Sequence, residues 1–410
     1  MAIITQPIDP AEAAAPAPAL EVETWRRWLI MFILLTGGIK TTLAFTTVVP
    51  GLQLIAEHFR GTGDNILGAQ FVVTMAPIGM AVTGLFAGWI VNAGGLRRTL
   101  FISLGIASFC GLSQLWIQSF PALLASRFLL GCSVVVVDIT LTTILAAQFA
   151  GAARSQLIGF RQGISSAGTV STMLLAGIIA DHYGWRAPAW MFMVPVVSLL
   201  LSFIAFNKPI VFTRQMEATE RFSILQLWPI YVLCLVMSMA HTMPSFQMPF
   251  LLKEHGVTSA ELVSRVPALS SFISIIAALA FGYVYARAGR WTLVMACTFM
   301  GVGFMGVGIS PTYNLILACV VVEGIGAGWT MPFFSNRLLD RVTPAQRSQA
   351  MGFLFSSLFL GHFLNPIATA PLRTNFGIHE TFLVVGGILV AMAAAFGVWS
   401  LASRGKNTII

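Results

Sequence analysis

The chain has 410 residues, 57% of them hydrophobic and only 9% charged, with 23 Lys and Arg against 15 Asp and Glu. A soluble protein of this length needs far more charge to cover its surface, so lipid is the solvent that suits it. The net charge of +8 does not point to nucleic acid, because the basic residues punctuate apolar runs instead of forming a patch.

The first 24 residues are rich in Ala and Pro and carry Asp9, Glu12, Glu21 and Glu23. They have neither a basic leader nor an apolar core, which argues against a cleaved signal peptide. A short disordered cytoplasmic tail over 1–24 is expected.

Twelve stretches long and apolar enough to cross a bilayer follow, near 27–50, 66–91, 98–119, 121–149, 155–180, 187–206, 225–250, 260–287, 290–310, 312–336, 347–370 and 379–402. A crossing takes about 20 residues. Each must be a helix, since backbone exposed to lipid has to satisfy its hydrogen bonds internally. The hydrophilic stretch from Asn207 to Arg221 divides the spans six and six. The expected fold is all-α, with two six-helix bundles at 25–206 and 225–410 and a cytoplasmic linker at 207–224.

Orientation follows from Lys and Arg. With both termini cytoplasmic, all but seven of the 23 fall on the cytoplasmic side. Arg60, Arg186, Lys253, Arg265 and Arg373 lie on the other side, and Lys40 and Arg127 lie within spans. This is a strong positive-inside bias. The compact loops and short tail fit the inner membrane of a bacterium.

Cys110, Cys132, Cys234, Cys297 and Cys319 all fall within apolar runs, without paired spacing, and read as small buried hydrophobes. No metal site, cofactor motif, Walker loop or nucleophile elbow occurs, so neither an enzyme nor an ATP-driven pump is expected.

Two segments half the chain apart are imperfect copies. Gly88-Trp-Ile-Val-Asn92-Ala-Gly-Gly95-Leu-Arg97-Arg98 follows the second span, and Gly282-Tyr-Val-Tyr-Ala-Arg287-Ala-Gly289-Arg290-Trp follows the eighth. Each is a glycine-spaced, arginine-bearing hairpin, which implies two homologous halves with function between them. The fourth span carries Arg127-Phe-Leu-Leu-Gly131, and Asp181-His-Tyr-Gly-Trp-Arg186 closes the fifth.

With these motifs the chain, from about Trp25 onward, resembles the major facilitator superfamily, most nearly its proton-coupled drug and metabolite exporters. The hairpins are similar to that family's G-x-x-x-D-R-x-G-R-R signature, and Arg127 to Gly131 to its R-x-x-x-G motif. The resemblance implies twelve helices, a central cavity open alternately to each side, and a part for Arg127 in proton transfer. This chain has Asn92 and Ala93 where relatives carry an acid and a base, and Ala286 in the second copy. In relatives that acid latches the hairpin in the outward-facing state, so a weaker latch and an inward-facing resting state are expected. The fifth span lacks the Gly-Pro pair of drug/proton antiporters; its Gly163, Gly168 and Gly177 also suit close helix packing.

Ionisable groups at bilayer depth cost several kcal/mol unless paired or hydrated, which makes them functional candidates. Arg127 and Asp138 are eleven residues apart on one helix, so both point to one side about 16 Å apart. Asp138 reads as a coupling carboxylate or as a packing partner of Lys40 or Arg127. Glu323 precedes Gly324, Gly326 and Gly328, a deformable stretch where a buried carboxyl can carry a proton, contact substrate or bond to a neighbouring helix. Lys40, among Thr36, Gly37, Gly38, Thr41 and Thr42, either neutralises Asp138 or attracts an anionic substrate.

The seventh span runs Met237-Ser-Met-Ala-His241-Thr-Met243-Pro244-Ser-Phe246-Gln247-Met-Pro249, a kinked and pliable stretch. His241, Met243, Phe246 and Gln247 are candidate substrate contacts, with Trp329, His362, Asn365 and Arg161. His362 with Asn365-Pro366 also suits a packed kink, and Arg161 suits an interfacial, snorkelling arginine. The expected activity is proton-coupled transport of a small amphipathic solute by a monomer. Efflux by antiport is the first reading, and uptake of an organic anion by symport or uniport the second. A transporter-like receptor or scaffold without flux is the third.

Overall fold

The computed structural model describes residues 24–59, 65–149, 151–206, 226–343 and 346–402, nearly all of them helical. The expected tail (1–24) and linker (207–224) lie outside these residues except for Thr24.

The first crossing is broken. It runs as α1 (Thr24–Leu35), α2 (Gly37–Thr46), a 3-10 turn at Val49–Gly51 and α3 (Leu52–His58). Thr36 turns its hydroxyl back onto the Phe32 carbonyl at 2.8 Å, and Pro50 supplies the second interruption. The next four crossings are α4 (Asn65–Gly94), α5 (Leu96–Ser113), α6 (Phe120–Gln148) and α7 (Gly151–Tyr183). A 3-10 segment at Ala187–Phe192 then leads into α8 (Met193–Ala205).

The seventh crossing divides as its prolines predict, into α9 (Trp228–His241), α10 (Met243–Phe246) and α11 (Met248–Glu254). The remaining crossings are α12 (Ala260–Ala288), α13 (Trp291–Ile309), α14 (Tyr313–Leu339), α15 (Arg347–Phe376) and α16 (Ile378–Ala402).

Among the described residues, eleven helical stretches are long and apolar enough to cross a membrane. The twelfth crossing is α5, shorter and opened by Arg97 and Arg98, which packs against α6 and α8. Large apolar side chains such as Trp28, Phe109, Leu279 and Val398 are more than half exposed, as a lipid-facing surface requires.

Within the first half α6 is central, touching α2, α4 and α5. Within the second half α13 packs on α14 and α16, and α12 on α14. The halves meet along two seams, α4 with α15 and α7 with α12. The hydrogen bonds that cross between them crowd at the end holding α3, Tyr183 and Ser259. Asp181 accepts from the Ala260 amide at 2.8 Å and the Ser259 hydroxyl at 3.0 Å, and Lys253 pairs with Glu57 at 2.6 Å. Gln53 donates to the Pro249 and Val257 carbonyls at 2.5 and 3.2 Å. This end is shut. Among the described residues, one crossing bond lies toward the other end, from Ser356 to the Ala81 carbonyl at 3.2 Å.

The two hairpins lie at that other end. Each turns on a glycine in the left-handed region, Gly95 at φ 72° and Gly289 at φ 53°, where a side chain would be strained.

Candidate functional site

Three groups of side chains lie at or near the seam between the halves, and the one toward the shut end is an amide lock. Gln70, on the first turns of α4, donates to the Phe246 carbonyl at 2.8 Å and to Gln247 Oε1 at 3.0 Å. Its own Oε1 accepts from Arg373 Nη1 at 3.2 Å. Gln247 in turn donates to Thr369 Oγ1 at 2.5 Å and Asn365 Oδ1 at 3.5 Å, and Asn365 Nδ2 reaches the Met239 carbonyl at 2.7 Å. All five side chains are buried, among an apolar cluster that includes Met243 and Phe246. Gln247, Met243, Phe246 and Asn365, candidates for solute contact, therefore sit in the seal.

The second group is aromatic. Phe45 of α2 stacks on Phe359 of α15 with centroids 6.5 Å apart and planes 15° apart. His362 stands edge-on to both, at 6.2 Å and 5.9 Å. His241 of α9 lies beside it. His241 Nδ1 and His362 Nε2 are buried without hydrogen-bond partners.

The third group is charged and belongs to the first half. Arg161 of α7 is 8% exposed and donates Nη2 to Asp138 Oδ1 of α6 at 2.5 Å. Its Nη1 donates to Thr142 Oγ1. The arginine is a buried ion-pair partner and not an interfacial one. A methyl group on Gly37 would lie 2.7 Å from Arg161 Nη2, so this α2 glycine makes room for the guanidinium. Lys40 of α2 is 1% exposed, interacts with both Asp138 and Arg161, and donates to the Thr36 carbonyl at 3.3 Å. The Asp138 side chain keeps 38% of its surface accessible.

The other candidates are set apart from these groups. Arg127 and Asp138 share α6 but not surroundings: Arg127 is fully buried against Phe192, its guanidinium carbon 6.0 Å from the ring centroid. None of its three nitrogens has a hydrogen-bond partner. Glu323 is 0% exposed between α12, α13 and α14, accepting from Ser270 Oγ at 2.7 Å on one oxygen while the other has no partner. Trp329 donates Nε1 to the Ala277 carbonyl at 3.0 Å and packs edge-on against Phe299, inside the second half.

In the hairpins, Arg97 lies over Phe101 at 5.5 Å and Arg287 over Tyr283 at 3.6 Å. Arg98 is exposed, Arg290 partly so, and Gly282 lines open space. The side chain of Asn92 and the surroundings of Gly88 lie outside the described residues.

Sequence reasoning missed Gln70, Phe45 and Phe359. Gln70 carried a signal, as an amide in an apolar span. The two phenylalanines carried none.

Two pseudo-repeated six-helix halves around a polar centre define a secondary-transporter fold. The profile of the Major Facilitator Superfamily matches residues 34–308 and 230–408, and the chain belongs to that family. It is a multi-pass membrane transporter. The chain is 22% identical over 396 residues to the riboflavin transporter RibZ of Clostridioides difficile, covering 80% of this chain and 84% of that one. It is 30% identical over 125 residues to the multidrug resistance protein Stp of Mycobacterium tuberculosis, a match covering 29% of this chain and 22% of that protein. Its fold matches the crystal structure of a D-xylose–proton symporter with a TM-score of 0.73, at 15% identity, over 90% of this chain and 97% of that one.

Proposed function

We propose that this protein carries a small amphipathic organic solute across a bacterial plasma membrane by alternating access, with protons as the coupling ion. The observation that carries the reading is the Asp138–Arg161–Lys40 group, an ionisable cluster held within the membrane-spanning part of the first half. The orientation given by Lys and Arg makes the shut end the outer one. On that orientation the amide lock is the outer gate and the conformation is inward-facing, as the missing hairpin acid suggests.

Two carboxyls are the proton carriers in this scheme. Asp138 is partly accessible and bound to Arg161, so protonation releases the guanidinium. Glu323 is fully buried with one oxygen unpartnered, and gaining or losing charge there changes a desolvation cost of several kcal/mol. A shift of that size moves a two-state equilibrium strongly. Arg127, with no acceptor in this conformation, is assigned to the same coupling path.

Efflux by proton antiport is supported by the likeness to the multidrug protein Stp. Uptake of an organic anion by symport is the second reading, and Lys40, which lacks an ion-pair partner among the described residues, favours it. Both termini face the cytoplasm and the monomer is the working unit in either case.

The test is reconstitution in vesicles under an imposed pH gradient, with a solute panel. Asp138→Asn and Glu323→Gln are each expected to abolish gradient-driven accumulation while leaving solute exchange down its own gradient. Release of protons against solute marks antiport, and co-movement marks symport. Gradient-driven flux untouched by both substitutions overturns the proton assignment. No flux of any solute means that the chain is a receptor or scaffold.

A further inference from the structure

Much of the polar closure at the shut end hangs, on the second half's side, from one short segment. Gln247 accepts from Gln70, the Pro249 and Val257 carbonyls accept from Gln53, and Lys253 pairs with Glu57. These four residues belong to α11 or its flanks. That helix is only seven residues long and is separated from α9 by two breaks. What fastens α11 to its own half therefore decides how firmly the end is shut. Its far end is held by two histidines.

His255, which closes α11, points Nδ1 at the Leu251 carbonyl and Nε2 at the Ser310 carbonyl beyond the end of α13, both at 3.0 Å. His379, in the first turn of α16, points Nδ1 at the Gly308 carbonyl at 3.0 Å and Nε2 at Glu254 Oε2 at 3.6 Å. Each ring thus faces an acceptor at both nitrogens. A neutral imidazole has one N–H and one lone pair, so it serves one acceptor and sets its lone pair against the other. Only the imidazolium donates to both. The carbonyl ends of α11 and α13 favour that charge. Around the pair, Lys253 is bound to Glu57, Glu261 to Arg265 on α12, and Arg373 to Gln70, while Glu380 of α16 adds an acid. His58 of α3 packs on Phe59 and Trp185, Tyr313 of α14 donates to the Leu262 carbonyl, and α13 carries no charged side chain. The two rings are partly exposed, within reach of solvent protons, with centroids 5.1 Å apart. Repulsion at that spacing spreads their protonation over a wider pH range.

We infer that His255 and His379 form a proton sensor on the outer face: protons taken up there fasten α11 to α13 and α16 and hold the outer gate shut, and their loss frees α11 and lets the gate part. The clamp is complete in acid and is lost as pH rises through the range where imidazoles titrate. This rests on the reading of the shut end as the outer gate, and it holds for either direction of solute movement. The sensor is separate from Asp138 and Glu323, which lie elsewhere in the fold and carry the coupling protons in the scheme above.

The experiment measures the distance between spin labels at the exposed positions His182 and Thr258, in the full-length protein in lipid nanodiscs without solute, at about pH 5.5 and about pH 8. The ratio of parted to shut molecules is expected to rise at least about threefold at the higher pH, the scale of one net hydrogen bond lost. His255→Gln combined with His379→Gln is expected to remove the response, since an amide does not titrate in this range. His255→Arg, with two donors and a constant charge, is expected to keep the end shut at both pH values. A ratio that does not change with pH in the protein carrying only the labels overturns the sensor, and so does a response that survives the double substitution. The first comparison leaves both histidines in place, so it stands even where a variant misfolds. Gln70→Leu separates the two readings. If it parts the labels while pH does not, the sensor alone fails; if neither parts them, the gate reading fails and the sensor with it.

Discussion

Gly131→Leu is expected to leave no folded protein. A methyl group on Gly131 would run into the Ala76 carbonyl group, and one on Gly79 into the Phe128 carbonyl, so α4 and α6 cross backbone against backbone. Cys132 Sγ, donating to the Gly79 carbonyl at 3.6 Å, marks the same crossing. Helix backbones do not yield as side-chain tips do, and overpacking by single methylenes already costs about 1–3 kcal/mol. A leucine adds a whole isobutyl group, against a total stability of about 5–15 kcal/mol for a typical protein. Gly131→Ala should lower the melting temperature measurably. Gly105→Ala, on a helix face with nothing nearby, should not lower it and should raise it slightly, since alanine favours a helix interior over glycine. Size-exclusion profiles and thermal unfolding in detergent decide this. A monodisperse Gly131→Leu protein with an unaltered melting temperature would refute the crossing. The glycine of the fourth-span motif is thereby a packing residue in its own right, whatever the arginine before it does.

Gln70→Leu should loosen the shut end. This one side chain makes three bonds across the seam, two as donor and one as acceptor to an arginine, and it is 0% exposed. Losing them while their partners stay buried costs about 2–4 kcal/mol. A cost of that size changes the ratio of shut to open molecules by more than about tenfold. Spin labels at the exposed positions His182 and Thr258, on either side of that end, should show a new long-distance population in the variant. An unchanged distance distribution would mean that the apolar cluster holds the seam without the amides.

The spans were legible because apolar length is a property of a segment by itself. The fourth, expected over 121–149, is α6 at Phe120–Gln148, and Pro244 and Pro249 foretold the division of the seventh. The break at Thr36 was less legible, since Gly37 and Gly38 permit a bend without requiring one. Site partners were the hardest to read. Helical phase placed Arg127 and Asp138 on one side of α6, but phase says nothing of which neighbour arrives there. Asp138 meets Arg161, 23 positions later on another helix, and Arg127 meets an aromatic wall. The motion-related stretch around His241 read as a binding surface because pliable, polar-flecked sequence serves seals and pockets alike. Only the position of Gln70 across the seam separates the two.

One feature of the shut end links helix length to gating. Asp181, at the end of α7 in the first half, accepts from the first amide of α12 in the second, while Ser259 accepts from Leu262 behind it. A helix is thus finished by a carboxylate that travels with the opposite half. When that end parts, α12 loses its borrowed terminator, and water takes over at a cost of about 0.5–2 kcal/mol. Such a sum is too small to bar the way, yet it loosens the opening turn, left with Ser259 as its cap, each time the halves separate. Deuterium uptake at the leading amides of α12 then becomes a label-free clock for the traffic of this carrier between its two faces.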